Sequence, residues 1–396
     1  MNIEDTPAVL REPITDGEVT YSLVRAWPRS EGHLLLELAD EDGSRVAGQW
    51  FADPGRLDEA AAATPAPARV MGPVLLQPDG ADARLAALPQ VLARPDARLV
   101  AHRPGRRAVV HLAGEDPHFV KVVRTSAGPG LAERGQLVGR LIGDSVLVPR
   151  LREDSDPGRG LLGWTTVPGR TLHDLAASGN WTEDAALTAW TQAGEAVSHL
   201  HDARTRLPQD TEQGRWTTQD ELQAIDNWCT PAVRYGLLDQ ALVRSARARV
   251  EDLLVATTVE PVLGLLHRDL HDKQVLWADG RVGMIDVDTL TVGERALDLA
   301  NVLVHLELRR AQGLLGDDLA RAAAAGFRAG VATRTGPDLD VEAMWSRVGA
   351  WALATRLRLA GVYAFRPRWR GVARAFVEQA AGLPGGERLA PGGVGG

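Results

Sequence analysis

The apolar positions divide the chain into three stretches. Over residues 1–96, "YSLVRAWP" and "GHLLLELADEDGSRVAGQWFAD" read as strands. The "EDGS" inside the second run is a hairpin turn, because Asp-Gly supplies the positive φ that a tight turn needs. "AAAATPAPARVMGPV" reads as a linker or short irregular piece. This stretch is expected to form a small β-rich unit with room for one helix.

Over residues 97–168 the pattern changes. "ARLVAHRPGRRAVVHLAG" reads as strand, Gly-containing turn and strand, and "HFVKVV" as a short β-branched strand. "GPGLAERGQLVGRLIG" is a helix, with Leu131, Leu137, Val138 and Leu141 on one face. "SVLVPRLRE" and "GLLGWTTVPG" complete an expected antiparallel sheet, giving the order β-β-β-α-β-β. From about residue 169 the helical period takes over, and "LDQALVRSARARVEDLLVAT" is the strongest amphipathic case. Two short β segments around a turn interrupt it near 265–290. The expected units are therefore 1–96, 97–168, 169–380 and a flexible Gly/Pro-rich tail at 381–396.

Composition narrows the class. A chain of 396 residues with 44% hydrophobic and 24% charged residues can bury a sizeable core. A net charge of -8 argues against a nucleic-acid partner, which calls for basic surface. The N-terminus is acidic, lacks an apolar segment of the signal-peptide kind, and no run of about 18 apolar residues follows. No membrane association is expected. The single cysteine, Cys229, cannot form an intrachain disulfide, which fits a cytoplasmic setting. Oligomeric state is not legible.

Only two of the 44 basic residues are lysines, Lys121 and Lys273. Against so strong a bias toward arginine, a retained lysine suggests a task for a compact ammonium charge. The chance placement of two lysines is the alternative.

The chemistry concentrates in "LLHRDLHDKQVL" (265–276) and "IDVDTL" (285–290). Asp269 follows His267-Arg268, Gln274 lies five residues further, and Asp286 lies 17 residues after Asp269. That is the layout of a kinase catalytic loop. Phosphoryl transfer needs a carboxylate to orient a hydroxyl and take its proton. It needs hard oxygen ligands for Mg2+, and a cation on the phosphates.

From about residue 97 to 380 the chain resembles the aminoglycoside phosphotransferase/choline kinase family of small-molecule kinases. "HRDLHDKQVL" resembles that family's H-G-D-x-H-x-x-N loop, "IDVDTLTVGERALDLA" its I-D-x-[DE] run ending in D-L-A, and "VPGRTLHDL" the segment after its hinge. The resemblance implies an α/β (α+β), two-lobed, protein-kinase-like fold with an additional N-terminal β-rich cap. It implies an ATP- and Mg2+-dependent phosphotransferase acting on a small-molecule hydroxyl. It makes Asp269 the catalytic base, Gln274 and Asp286 metal ligands, and Asp288 a second-metal or outer ligand. Lys121 becomes the phosphate-holding lysine, Glu133 its helix partner, and Asp298 a brace for the catalytic loop. Arg106 or Arg107 would touch phosphate, and a hinge between Trp164 and Pro168, including Val167, would hold adenine.

Three departures stand out. Gln274 replaces the family's Asn, as in the maltokinase and glucosamine-kinase branch, which also carries an N-terminal cap. Arg268 replaces its Gly. "HRPGRR" has one glycine where a glycine-rich loop is usual. Bland readings stand beside the sharp ones: an exposed helix acid for Glu133, and a plain turn for "HRPGRR".

The acceptor is open. Residues 341–380 carry seven Arg against two Glu, interleaved with Trp345, Trp351, Tyr363, Phe365 and Trp369, which favours a sugar, a nucleoside-like molecule or an anion. The acidic stretch 209–226 points toward a cationic acceptor. A kinase acting on Ser/Thr of a biosynthetic peptide, and an inactive nucleotide-binding partner module, are the alternatives.

Overall fold

The computed structural model describes residues 6–17, 19–207, 214–256, 259–333 and 341–383. The expected tail lies almost wholly outside the described residues, as does part of the acidic 209–226 stretch.

The chain begins with β1 (Ile14–Asp16), β2 (Val19–Ser30), β3 (His33–Ala39) and β4 (Arg45–Phe51). Helix α1 (Pro54–Ala63) and strands β5 (Arg69–Met71) and β6 (Val74–Gln77) follow. They form one antiparallel sheet in the order β1-β2-β3-β4-β6-β5. The hairpin expected at "EDGS" is present, with Gly43 at φ 81° and Ser44 N donating to Asp40 Oδ1 at 2.7 Å. The expected linker is not one. Its alanines end α1, capped by Asp53, its "RVM" is strand β5, and its last residue, Val74, opens β6. Val74, Leu75 and Leu76 are fully buried, and this burial outweighs the local Pro and Ala content.

After α2 (Leu88–Leu92), strands β7 (Ala97–Arg103), β8 (Arg107–Leu112) and β9 (His118–Val123), helix α3 (Gly128–Ile142) and strand β10 (Leu161–Thr165) build the upper lobe. The sheet order is β10-β9-β8-β7. "SVLVPRLRE" does not complete it, contrary to expectation. Leu147 bridges Gly283 in the lower lobe and Leu151 bridges Trp164, so this segment links the lobes. Strand alternation sends Ala108, Val110, Val120 and Val122 to the sheet's outer face. There Leu85, Ala87, Leu88 and Val91, from the stretch expected to belong to the cap, cover them.

The lower lobe comprises β11 (Arg170–Thr171), α4 (Leu172–Ala177), α5 (Glu183–Asp202), α6 (Thr218–Arg234), α7 (Gln240–Val255), β12 (Leu263–Leu266), β13 (Val275–Ala278), β14 (Arg281–Met284), β15 (Thr291–Glu294), α8 (Arg295–Ala311), α9 (Asp317–Thr333), α10 (Val341–Ala364) and α11 (Arg370–Ala381). Its core holds the fully buried Trp190, Phe327, Trp351 and Phe365. Each such side chain contributes on the order of 1.5–3 kcal/mol by leaving water. Helices α5 and α9 pack unusually closely: a Cβ on Gly330 would fall 1.8 Å from the Thr191 carbonyl, so only glycine fits.

The N-terminal sheet docks on this helical lobe. Ala26 N donates to Phe365 O at 2.9 Å, and Trp50 meets Tyr235 edge-on at 6.3 Å. Among the described residues no helix is long and apolar enough to cross a membrane.

Candidate active site

Strand β12 is apolar and buried because it pairs with β15 inside the lower lobe. It delivers His267 and Arg268 into a turn whose backbone is held on every side. Asp298, fully buried in the first turn of α8, accepts from His267 N and Arg268 N, both at 2.8 Å. It also accepts from His201 Nε2 at 3.1 Å; burial lowers the His201 pKa, so that imidazole is neutral and donates through Nε2. The carbonyls of the same two residues are taken by Thr289 Oγ1 at 2.7 Å and Asn301 Nδ2 at 2.6 Å. His267 Nε2 donates to Ile285 O at 2.9 Å, joining the turn to the end of β14.

This scaffold explains the departure at Arg268. Its φ is 72°, in the left-handed region that glycine occupies freely and other residues reach at a cost of order 1 kcal/mol or more. The four hydrogen bonds on the N–H and C=O groups of His267 and Arg268 hold that conformation. The guanidinium lies 4.2 Å from the centroid of Trp216, a further compensation of about 0.5–2 kcal/mol.

Asp269 comes next, half-buried. Its carboxylate makes no hydrogen bond or ion pair with any described residue. The loop beyond it is pinned by Asp272, which accepts Arg309 in a two-bond fork at 2.7 and 2.9 Å and His173 Nδ1 at 2.9 Å. Burial would raise the Asp272 carboxyl, yet His173, His271 and Arg309 hold it well below the usual range.

Gln274 is buried, and its Oε1 has no hydrogen-bond partner among the described residues. Its backbone O accepts Ile285 N at 3.0 Å, which sets it beside the residue preceding Asp286. An orphaned amide oxygen there is costly unless a ligand takes it. Asp286 itself sits at φ 59°, ψ 46°, a second non-glycine residue in the left-handed region. Lys121 Nζ crosses from β9 to donate to Asp286 Oδ1 at 3.1 Å and Asp288 Oδ2 at 2.6 Å. Arg107 approaches the same carboxylates at 3.9 and 3.6 Å. Burial would raise the Asp286 carboxyl, but Lys121 and then Arg107 overcome it and hold it at about 2. Two carboxylates and one unpartnered amide oxygen form a hard-oxygen set that fits Mg2+.

The turn carrying Arg107 is itself anchored. Gly105, at φ 63°, donates its N–H to Asp82 Oδ2 at 2.7 Å, and His102 Nε2 meets the same atom at 2.9 Å. One glycine suffices because Asp82, from the segment before α2, fixes the loop from outside.

Among the expected site residues, one pairing is corrected. Glu133 does not pair with Lys121. It is exposed on α3 and has no ion pair among the described residues, while Lys121 turns to Asp286 and Asp288. The indole of Trp164, in the expected hinge, lies tightly on α3: a Cβ on Gly135 would be 2.2 Å from it. Trp164 packs α3 on the sheet together with Ala132, Val123 and Leu162. Val167 packs on Gly283 of β14, so the hinge segment crosses the lower lobe's small sheet.

Several site residues escaped the sequence reading. Phe119 lies two residues before Lys121 in β9 and so emerges on the same face. It is 37% exposed and tilts against His111 at 4.9 Å. Period-two spacing from Lys121 was the available signal. Asp82, Asp272 with Arg309, and Trp216 under Arg268 are long-range pairings with no local pattern.

Residues 119–351 match the model of the phosphotransferase enzyme family. The chain belongs to that family. It is a small-molecule phosphotransferase whose acceptor group is a hydroxyl. No curated protein matches its sequence. Among solved structures, it resembles an amicoumacin kinase bound to AMP-PNP and Ca2+, at 13% identity and a TM-score of 0.51, over 68% of this chain and 81% of the other. It also resembles a thermostable mutant of the aminoglycoside phosphotransferase APH(4)-Ia, at 18% identity and a TM-score of 0.50, over 73% and 96%. At such identities these likenesses concern the fold, and they bear out the two-lobed kinase-like expectation.

Proposed function

We propose that this phosphotransferase moves the γ-phosphoryl group of ATP to a hydroxyl of a small molecule. The observation that carries the reading is a convergence. Lys121 of the upper lobe reaches Asp286 and Asp288 of the lower lobe within 3.1 Å. Gln274 Oε1 and the Asp269 carboxylate, both without a hydrogen-bond partner among the described residues, belong to the catalytic loop beside those carboxylates, where Gln274 O accepts Ile285 N.

Asp269 accepts a hydrogen bond from the acceptor hydroxyl and takes its proton as the oxygen attacks the γ-phosphorus. The bond from that phosphorus to the β–γ bridging oxygen breaks, and ADP leaves with the electron pair. Lys121 and Arg107 face the phosphates and offset the charge that builds on the leaving group. Gln274, Asp286 and Asp288 would hold Mg2+, which supplies charge neutralisation on the phosphates. Phe119 and His111 offer an aromatic surface to the base, and the Thr166–Val167 backbone offers polar groups to its edge.

The test is Mg2+-dependent ATP turnover by the full chain over sugars, aminoglycosides and short Ser/Thr peptides, with Asp269→Asn alongside. Acceptor-dependent turnover with a small molecule, lost in the variant, supports the reading. Peptide turnover alone, or turnover undiminished in Asp269→Asn, overturns it.

A further inference from the structure

A line of cations runs from the metal-binding carboxylates to the far end of the catalytic loop, and the N-terminal sheet supplies its middle. Arg107 stands 3.6 Å from Asp288. Its cross-strand partner in the β7–β8 hairpin is Arg103, so both side chains leave the same face of the sheet. The Arg103 guanidinium lies 5.0 Å from the ring centroid of Trp27, in β2 of the N-terminal sheet. Arg25, two residues earlier in that strand, lies 4.5 Å from the same centroid.

The next residue, Ala26, is hydrogen-bonded to Phe365 O, which brings Arg25 to the end of α10 and next to Arg366. Arg366 sits 4.1 Å over the Tyr363 ring. Tyr363 also interacts with Arg309, the residue that clamps Asp272 three positions after Asp269.

These charges are poorly answered by acids. Arg25 has Glu37, and Arg309 has Asp272. Among the described residues, Arg103, Arg106 and Arg366 have no carboxylate partner and the buried Arg103 Nε has no hydrogen bond. Burial first, then Arg106, Arg107 and Arg25, lower the Arg103 pKa to about 10. Arg366 is lowered too, by burial, with Arg25 and Arg309 adding to it against Tyr363. Grouped guanidiniums without counterions are unfavourable unless a ligand brings the missing negative charge. Lys121 and Arg107 already face the nucleotide's phosphates. Arg103 and Arg366 lie beyond them, toward the cap.

We propose that the acceptor is an anionic hydroxyl compound, bearing a carboxylate or a phosphate, and that Arg103 and Arg366 bind its charged group while the Trp27 and Tyr363 rings hold those guanidiniums in place. The substrate class rests on the phosphotransferase reading above; the anion site does not. The cap is then part of the acceptor site, because Trp27 and Arg25 come from it. Planar guanidiniums fit carboxylate and phosphate oxygens in paired hydrogen bonds, and stacking on a ring reduces the freedom lost on binding.

The experiment uses the full chain with four probes of similar size: glucose, glucosamine, gluconate and glucose 6-phosphate. Binding is measured by calorimetry, and phosphorylation with Mg2+ and ATP. Wild type is compared with Arg103→Gln, Arg366→Gln and, as a control, Arg321→Gln on the exposed face of α9. Thermal unfolding and nucleotide binding report whether each variant is folded. The expected result is at least ~10-fold tighter binding of one anionic probe than of glucose, with that preference removed in both site variants and kept in the control. Gluconate and glucose 6-phosphate separate carboxylate from phosphate recognition. Anion binding that depends on Arg366, without phosphorylation of any probe, upholds the anion site and counts against the phosphotransferase reading. Equal or stronger binding of glucose or glucosamine, no binding of either anion, or an anion preference that survives in folded Arg103→Gln and Arg366→Gln overturns the proposal.

Discussion

Asp298 Oδ1 accepts the backbone N–H of Arg268 at 2.8 Å, thirty residues back along the chain. That single contact ties a strained residue of the catalytic turn to the first turn of a buried helix. Replacing Asp298 by Asn substitutes a donor for one acceptor and removes the charge that three donors share. Unfolding free energy is expected to fall by about 2–4 kcal/mol, read from denaturant melts. Turnover should fall even at temperatures where the variant stays folded.

Arg268 provides the complementary test. Arg268→Gly removes the left-handed strain but loses the stack on Trp216 and adds chain entropy to the unfolded state. These effects nearly cancel, so stability should change by no more than ~1 kcal/mol. Arg268→Val keeps a side chain that tolerates φ 72° far less well and should destabilise by about 2 kcal/mol or more. Equal melts for the Gly and Val variants would refute the strain account.

Gln274 reports on the metal. Gln274→Leu keeps the side chain's approximate volume and removes its oxygen. The Mg2+ concentration for half-maximal turnover should rise by at least ~10-fold, with the fold retained. An unchanged Mg2+ requirement would take this amide out of the coordination set.

The pH response follows from Asp286. Its carboxyl is depressed to about 2 from an ordinary 3.8. Ionised Asp286 therefore stabilises the folded chain fully above about pH 4, and this contribution is lost as the pH falls through about 2. Lys121→Met removes the cation that does most to lower it. The thermal midpoint of that variant should lie below wild type at pH 6 and converge with it toward pH 2. Parallel curves would contradict the assignment.

Glu133→Gln is expected to change turnover by less than ~2-fold and stability by no more than ~0.5 kcal/mol, because an exposed helix residue without an ion pair has little to lose. Steady-state kinetics decide it. A large loss of turnover would show that Lys121 exchanges partners when nucleotide binds.

The catalytic loop was legible because its chemistry is local. His267, Asp269, Gln274 and Asp286 lie within twenty residues, and their types follow from what phosphoryl transfer requires. Helices such as α7 and α9 were legible from period alone. Asp298 emerged only through the family resemblance, since nothing in "RALDLA" marks it as a brace. Strand β5 was missed because Pro and Ala dominate the stretch before it, while what places it at the sheet edge is pairing with β6, itself buried against β4. "SVLVPRLRE" looked like a strand because it is apolar and β-branched, yet its partners lie in both lobes. Glu133 was misassigned because helix position alone does not say which way a side chain turns. Asp82 has no local signature at all, since the turn it secures begins twenty residues later.

The N-terminal unit is tied to both halves of the kinase. Its sheet is fastened to the end of α10 through Ala26 and Phe365, while the segment that follows it lines the back of the upper sheet through Leu85 and Leu88. Mechanically this is a strut bolted across a hinge. A two-lobed enzyme with one connection can gape to admit its substrates. Here a wide gape would have to shear one of two buried apolar seams, so entry is confined to small excursions. The separation of Lys121 from the catalytic loop is thereby set largely in advance of binding.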